Sequence, residues 1–315
     1  METSILSKYT QHFHPERYER PFFIQNAIQD EIKTKGYCVI DLFSADELDV
    51  LYEGYKVLKD SVKGSFGEQF WPSGRHPDPE IRKLAKAKIE EVVPTRLKEL
   101  FHADTYTFIG GTYLIKPPSD HSALNPHQDS SHVDEFKHFS VYAWIPLHDV
   151  ESKNGAVRVL PKSHQFNIKQ RSLNVPWVLE PYIHILDEYM VNVPIRAGEV
   201  LIFDAALIHS SPPNYTDQDR VAVNYYVHPK DSPFCHYYSD LHTPEGEIEV
   251  FDVTPEFYYT EDFEQKPSSK YTQLANQPQL ISRITEKELR NALAYLNGEA
   301  SLNFFQTILK KIGVK

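Results

Sequence analysis

Cysteine and methionine are nearly absent from this chain of 315 residues, which carries two of each. Cys38 and Cys235 stand far apart, so the sequence holds no disulfide framework and no Cys-x-x-Cys motif. Both fit a reducing compartment. Positive charge is in deficit, with 33 Lys and Arg against 44 Asp and Glu and a net charge of −11. No basic stripe appears, which argues against a nucleic-acid partner. Long apolar runs are missing too. The most apolar stretch, Val200–Ile208, is interrupted by Asp204 and is far too short to cross a bilayer. Met1–Thr10 lacks the apolar core of a signal peptide. Gly313-Val314-Lys315 is not a peroxisomal address. The expectation is a soluble cytoplasmic protein with no membrane partner.

Glycine is scarce beside proline, 12 against 22, while aromatics reach 13%. That balance favours a loop-rich, strand-containing protein over a helical bundle. Hydrophobic content of 41% and charged content of 24% are ordinary for a globular chain able to bury one large core or two smaller ones. No internal repeat, low-complexity tract or linker divides it, so a single domain over 1–315 is expected.

The first 104 residues read as helical. Phe23–Lys35 has helical character and Gly36 would stop it. Tyr37–Phe43 reads as a buried strand. Ser44 opens the next helix, with Glu47 completing a capping box. Gly64–Pro79 is a loop of the kind that carries substrate contacts or merely connects elements. Pro79–Phe101 is a further amphipathic helix, kinked near Pro94. From Thr105 the hydrophobic period becomes strand-like. Strands are expected over Thr105–Lys116, with a bulge at Gly110-Gly111, and over Phe139–Leu147, Ala156–Leu160, Met190–Pro194, Val200–Phe203 and Arg220–His228. Turn signals separate them. The expected fold is mainly β with flanking helices, its core over 105–229 an antiparallel barrel or jelly roll. Residues 230–315 read as irregular and helical, with Cys235–Tyr259 irregular and short helices at Glu286–Leu296 and Leu302–Ile312.

Within that frame one motif points to chemistry. In His127-Gln128-Asp129 an imidazole and a carboxylate lie two residues apart, on one side of an extended chain. His-x-Asp/Glu is weak evidence alone. Chance predicts about two such pairs, and the sequence has five: His14/Glu16, His76/Asp78, His102/Asp104, His127/Asp129 and His132/Asp134. His209 follows the apolar strand Val200–Phe203. It reads either as a hydrogen-bonded core histidine or as a third ligand completing the two-His, one-carboxylate set of non-haem Fe(II) oxygenases. Arg220 opens the next strand. It reads either as a surface ion pair with Asp217 or Asp219, or as a planar clamp for the distal carboxylate of a 2-oxo acid.

Several motifs in order carry a resemblance. They are His127-Gln128-Asp129, Trp144-Ile145-Pro146-Leu147-His148-Asp149, Asn154-Gly155-Ala156-Val157-Arg158-Val159-Leu160-Pro161-Lys162-Ser163-His164, and His209-Ser210-Ser211 with Arg220. Lys116-Pro117-Pro118 and Gly36–Ile40 add to them. Over roughly residues 30–228 the chain resembles the phytanoyl-CoA dioxygenase family, Fe(II)/2-oxoglutarate oxygenases on a cupin-like double-stranded β-helix.

The resemblance implies that His127, Asp129 and His209 hold the iron, and that the other four pairs are solvated or structural. It implies that Arg220, with the Ser211 hydroxyl, binds the 2-oxoglutarate C5 carboxylate, and that Thr112 and Trp144 line the cosubstrate pocket. No side chain beyond the metal centre is then needed for catalysis. The implied cofactors are Fe(II), 2-oxoglutarate and O2, and the implied reaction is hydroxylation with release of succinate and CO2. Asp129 argues against the halogenase variant, and Lys162 stands where the family usually has glycine. The partner is a small-molecule substrate, since no basic cluster suits CoA phosphates. Trp71, His121, Trp177, Tyr182, His184, Tyr237 and Tyr238 are substrate-contact candidates. Two other readings remain: a non-enzymatic or isomerising cupin-like metal-binding protein, or metal-assisted hydrolysis, for which no carboxylate base can be placed.

Overall fold

A computed structural model describes residues 15–63, 66–166, 168–240, 242–280 and 283–298. Helix α1 (Asn26–Lys35) ends where Gly36 enters the left-handed region at φ +93°, and its N–H closes onto the Ile32 carbonyl. Strand β1 (Tyr37–Asp41) follows. It was expected to be buried, yet only Cys38 is, because β1 is an edge strand. Helix α2 (Ala45–Ser61) starts on the expected reciprocal cap: Glu47 N donates to Ser44 Oγ, and Ser44 N donates to the Glu47 carboxylate. The short β2 (Trp71–Pro72) and a single turn Ser73–Arg75 lead into α3 (Pro79–Glu90) and α4 (Val93–Leu97). The interruption between α3 and α4 falls just ahead of Pro94.

The strands then run in sequence. They are β3 (Tyr106–Lys116), β4 (Leu124–His127), β5 (Val141–Pro146), β6 (Arg158–Val159), β7 (Val191–Asn192), β8 (Glu199–Asp204), β9 (His209–Ser211) and β10 (Arg220–Pro229). They form two antiparallel sheets, a large one in the order β1-β8-β5-β10-β3-β2 and a small one in the order β4-β9-β6-β7. This is the double-stranded β-helix, or jelly roll, expected from the sequence.

Side chains of the large sheet divide with period two. Val141, Ala143, Ile145, Val200, Ile202, Val221, Val223, Tyr225 and Val227 pack into one core with the helices. Trp144, Leu201, Phe203 and Ala222 pack into a second core with Val157 and Val159 beside the small sheet. Both faces are covered, which is why Val200–Phe203 reads as a continuous apolar run. On β3 and β10 the register slips between Tyr226 and Val227, opposite Gly110 and Phe108, so Ile109 is the extra residue beside the expected glycine bulge.

The C-terminal part differs from expectation. Residues 235–278 are not irregular: β11 (Cys235–Tyr238), β12 (Glu247–Asp252) and β13 (Thr272–Pro278) form a separate antiparallel sheet. Helix α5 (Glu286–Leu296) lies where a helix was expected, capped by Thr285 and Glu288. The expected helix Leu302–Ile312 lies outside the described residues. No helix among the described residues is long and apolar enough to cross a membrane.

Lys162, where the resemblance would place a glycine, adopts a left-handed backbone at a cost. Its φ is +66°, and its Nζ donates to the Leu296 carbonyl at the end of α5 at 2.8 Å. A non-glycine residue there is strained by about 1–2 kcal/mol. Both Lys162→Gly and Lys162→Ala lose the tether, but only glycine relieves the strain. The glycine variant is therefore expected to be the more stable of the two by about 1 kcal/mol in denaturant unfolding. Equal stabilities would show that the backbone there is not strained.

Candidate metal centre

Strands β4 and β9 of the small sheet pair so that His127 lies directly opposite His209. Their rings are 4.3 Å apart between centroids. Both imidazoles are oriented in the same way. His127 Nδ1 faces the Asn125 carbonyl at 2.8 Å, and His209 Nδ1 faces the Leu207 carbonyl at 3.0 Å. A carbonyl only accepts, so each Nδ1 carries the proton and each Nε2 keeps its lone pair. Those two Nε2 atoms converge on one carboxylate. His127 Nε2 is 3.7 Å from Asp129 Oδ1, and His209 Nε2 is 3.7 Å from Asp129 Oδ2.

Strand β4 ends at His127, so Asp129 lies just past the paired strand and not within it. The alternation persists regardless. Gln128 points the other way, its amide N–H donating to the Ala206 carbonyl and its amide oxygen accepting from Trp177 Nε1. Burial holds the His127 imidazole neutral, its pKa pushed down to about 4 first by desolvation and then by His209. Asp129 Oδ2 is buried and has no hydrogen-bond partner. An unsatisfied carboxylate oxygen between two imidazole lone pairs is a donor set that fits a divalent metal. Among the described residues these three are the one cluster of His, Cys, Asp or Glu whose donor atoms could hold an ion, all lying within 4.8 Å of one another.

The triad opens onto a cavity of about 340 Å³ that Thr112, Trp144, Ser211 and Arg220 also line. Arg220 is 2% exposed. Among the described residues no carboxylate pairs with it, and its Nε is buried without a partner. One long hydrogen bond, to the Leu114 carbonyl at 3.5 Å, and the Trp144 ring with its centroid 5.4 Å away are its contacts. Burial alone pushes its pKa down to about 9. The surface-pair reading of Arg220 fails, because its side chain is buried and among the described residues neither Asp217 nor Asp219 pairs with it; Asp219 is engaged instead by Lys59 at 2.8 Å and by the Tyr55 hydroxyl at 2.6 Å. Beside Arg220 in register lies Lys116, also fully buried, its ammonium pushed down to about 6 by burial and by Arg220. Ser211 follows His209 by two residues and is buried. The Thr112 hydroxyl is engaged by Ser73 Oγ at 2.9 Å and by Gly74 N at 2.7 Å, so it fixes the turn that carries Arg75.

Of the substrate-contact candidates, Trp71, His121, Tyr182, His184, Tyr237 and Tyr238 do not line this cavity, and Trp177 lies behind Gln128 in an adjoining groove. The lining residues not singled out by the sequence include Arg75, Tyr142, Asn224, Tyr226, His236 and Tyr258. One signal was available: Arg220, Ala222, Asn224 and Tyr226 alternate along β10 and must share a face. His132, grouped above with the solvated or structural pairs, also lines the cavity. Its Nδ1 meets the Tyr258 hydroxyl at 3.0 Å, and its pKa is pushed down to about 3, chiefly by burial.

The chain is similar to several known proteins. A phytanoyl-CoA dioxygenase domain-containing protein 1 of Danio rerio is 22% identical over 220 residues, covering 63% of this chain and 71% of that protein. The peroxisomal phytanoyl-CoA dioxygenase of Homo sapiens is 26% identical over 165 residues, 48% of each chain, so the match spans about half of that relative. Among solved structures, EctD from S. alaskensis, crystallised with 2-oxoglutarate and 5-hydroxyectoine, superposes with a TM-score of 0.49 at 19% identity, covering 70% of this chain and 82% of that one. The family model Phytanoyl-CoA dioxygenase (PhyH) matches residues 32–222, more than half of the sequence. The chain belongs to the phytanoyl-CoA dioxygenase family.

Proposed function

We propose that this protein is an Fe(II)- and 2-oxoglutarate-dependent oxygenase that hydroxylates an unactivated C–H bond of a small metabolite. The observation that carries the reading is Arg220: a buried guanidinium with no carboxylate partner among the described residues, in the same cavity as the His127, Asp129 and His209 triad. A buried cation left unpaired is costly, and a dicarboxylate cosubstrate supplies the missing anion.

In this reading His127, Asp129 and His209 would hold the iron where the triad opens onto the cavity. When bound, the iron and 2-oxoglutarate together supply oxidising power from O2, one oxygen atom going to succinate and the other to substrate as CO2 leaves. Arg220 takes the C5 carboxylate in its planar fork, with the Ser211 hydroxyl beside it. Trp144 packs against the guanidinium, and Thr112 steadies the turn that presents Arg75. The Tyr142, Tyr226 and Tyr258 rings keep bulk water from the reacting carbon. No side chain of the cavity has to move a proton for hydroxylation, which fits the neutral state of His132. The whole chain acts as one domain, with Tyr258 and His236 from beyond β10 closing the substrate end. A wall that carries several aromatic rings, with Arg75 and Arg220 as its only Lys or Arg side chains among the described residues, suits a small molecule better than an acyl-CoA with its phosphates.

Anaerobic titration with Fe(II) and then 2-oxoglutarate tests this. The expected result is a weak visible charge-transfer band that appears only with both, followed by succinate release on admitting air. If the metal binds but 2-oxoglutarate gives neither band nor thermal stabilisation, the oxygenase reading fails and a metal-binding cupin-like role replaces it.

A further inference from the structure

Behind the metal centre lies a buried ion pair that the proposed chemistry does not use. Arg171 and Glu135 have side chains 4% and 0% exposed. The guanidinium has five N–H donors, and five acceptors meet them. Nη1 donates to Glu135 Oε2 at 2.8 Å and to the Ile168 carbonyl at 2.7 Å. Nη2 donates to Glu135 Oε1 at 2.9 Å and to the Ala205 carbonyl at 3.1 Å. Nε donates to the Asp129 carbonyl at 2.8 Å.

One of these acceptors is the main chain of a triad residue, Asp129, and another lies on the segment that leads to His209. Asp129 contributes the carboxylate, and Ala205 opens the turn that ends at His209. That turn is tight, with Leu207 N donating to the Asp204 carbonyl and Ala206 N to the Asp204 carboxylate. Asp129 and Ala205 are thus tied to one rigid, planar group. On its other side the Arg171 carbonyl accepts from Ser131 N at 2.9 Å. Ser172 and Leu173, which follow it, line the cavity.

We infer that the Arg171–Glu135 pair is a positioning element of the metal centre: it sets the Asp129 carboxylate against His209 and ties both to the cavity wall at Ser172 and Leu173. The inference rests on the metal-centre reading above. A buried ion pair is weak evidence of a stability role, since apolar residues of like volume usually stabilise as much. What apolar residues cannot do is fix three carbonyls from separate segments at set angles. Lysine, a point charge with three donors, cannot do so either. Arg82 makes the contrast. It is buried too, but donates to the carbonyls of His76, Pro77, Tyr259 and Glu261, none of them in the triad or its turns.

The test is Co(II) binding to the full chain, read by calorimetry and by the d–d absorption of the bound ion, at a temperature where circular dichroism shows each variant folded. Arg171→Met is expected to weaken Co(II) binding by about 10- to 100-fold, the usual effect of losing a partner behind a metal ligand, and to alter the absorption. Arg171→Lys is expected to recover only part of that affinity, and Arg82→Met to lower the melting temperature with Co(II) affinity unchanged. Wild-type affinity and absorption in folded Arg171→Met, or an equal loss in Arg82→Met, would overturn the inference. Should Arg171→Met not fold, Glu135→Gln decides, since it keeps the guanidinium but removes its anionic clamp. A loss of about 10-fold or more supports positioning, and unchanged affinity overturns it. If the wild-type chain itself takes up no Co(II), the metal-centre reading fails first.

Discussion

Asp129→Ala abolishes succinate release and weakens divalent-metal binding by at least about 100-fold, more than the loss of a partner behind a ligand costs. The expectation rests on what surrounds the residue. His127 and His209 both aim Nε2 at the Asp129 oxygens, and no other carboxylate of the described residues joins the cluster. Without Asp129 the ion meets two neutral imidazoles and no negative charge. The same substitution is mild for the apo-fold. Asp129 Oδ2 accepts no hydrogen bond, while Arg171 grips the main-chain carbonyl, which alanine retains. Apo-protein melting should therefore change little while metal affinity collapses, a separation that calorimetry and a thermal scan record together. Asp129→Asn keeps the shape without the charge and should lie between. Full turnover in the alanine variant would remove Asp129 from the metal centre.

Much of this site was legible because its parts obey local rules. The His127-x-Asp129 spacing survives the end of β4 because Gln128 is anchored on the opposite side by Ala206 and Trp177. Strands β3 and β10 were readable from their apolar content and their flanking turns. What stayed hidden depends on contacts distant in sequence. Arg220 sits beside Asp217 and Asp219 in the chain, and only the fold shows Asp219 engaged by Tyr55 and Lys59 of α2. His132 has polar neighbours at Ser130 and Asp134, so it looks solvated; its cage is closed by Tyr258, 126 residues on. Strand β13 of the C-terminal sheet, Thr272-Gln273-Leu274-Ala275-Asn276-Gln277-Pro278, gave no signal because it is exposed nearly throughout. It is held by backbone pairing to β12, and hydrophobic periodicity cannot report that.

Arg220→Met moves stability and binding in opposite directions, which makes it the sharpest test of the cosubstrate assignment. In the protein without ligand the guanidinium is buried, and desolvation pulls its pKa well below the usual arginine range, to about 9. Folding at neutral pH must therefore bury a charge that no carboxylate of the described residues neutralises. The sign follows from linkage. The folded pKa lies below the unfolded one, so the unfolded chain holds the proton more tightly, and the group weakens the fold at every pH below about 9. A methionine of similar length removes that penalty and can pack against Trp144. Replacing buried charge by apolar volume typically stabilises by about 1–4 kcal/mol, so the apo-variant should melt a few degrees higher than wild type. Metal binding should be unchanged, since Arg220 touches none of the triad. With 2-oxoglutarate the order reverses. Losing a buried charge-assisted pair costs about 2–5 kcal/mol, which raises the cosubstrate dissociation constant by at least about 30-fold. Saturating metal and 2-oxoglutarate should then raise the melting temperature of wild type but not of Arg220→Met at the same concentrations. A variant that is less stable without ligand would mean that Arg220 has a structural anion partner. One that still gains stability from 2-oxoglutarate would place the carboxylate elsewhere, with Arg75, the other cation of the cavity wall, the next to test.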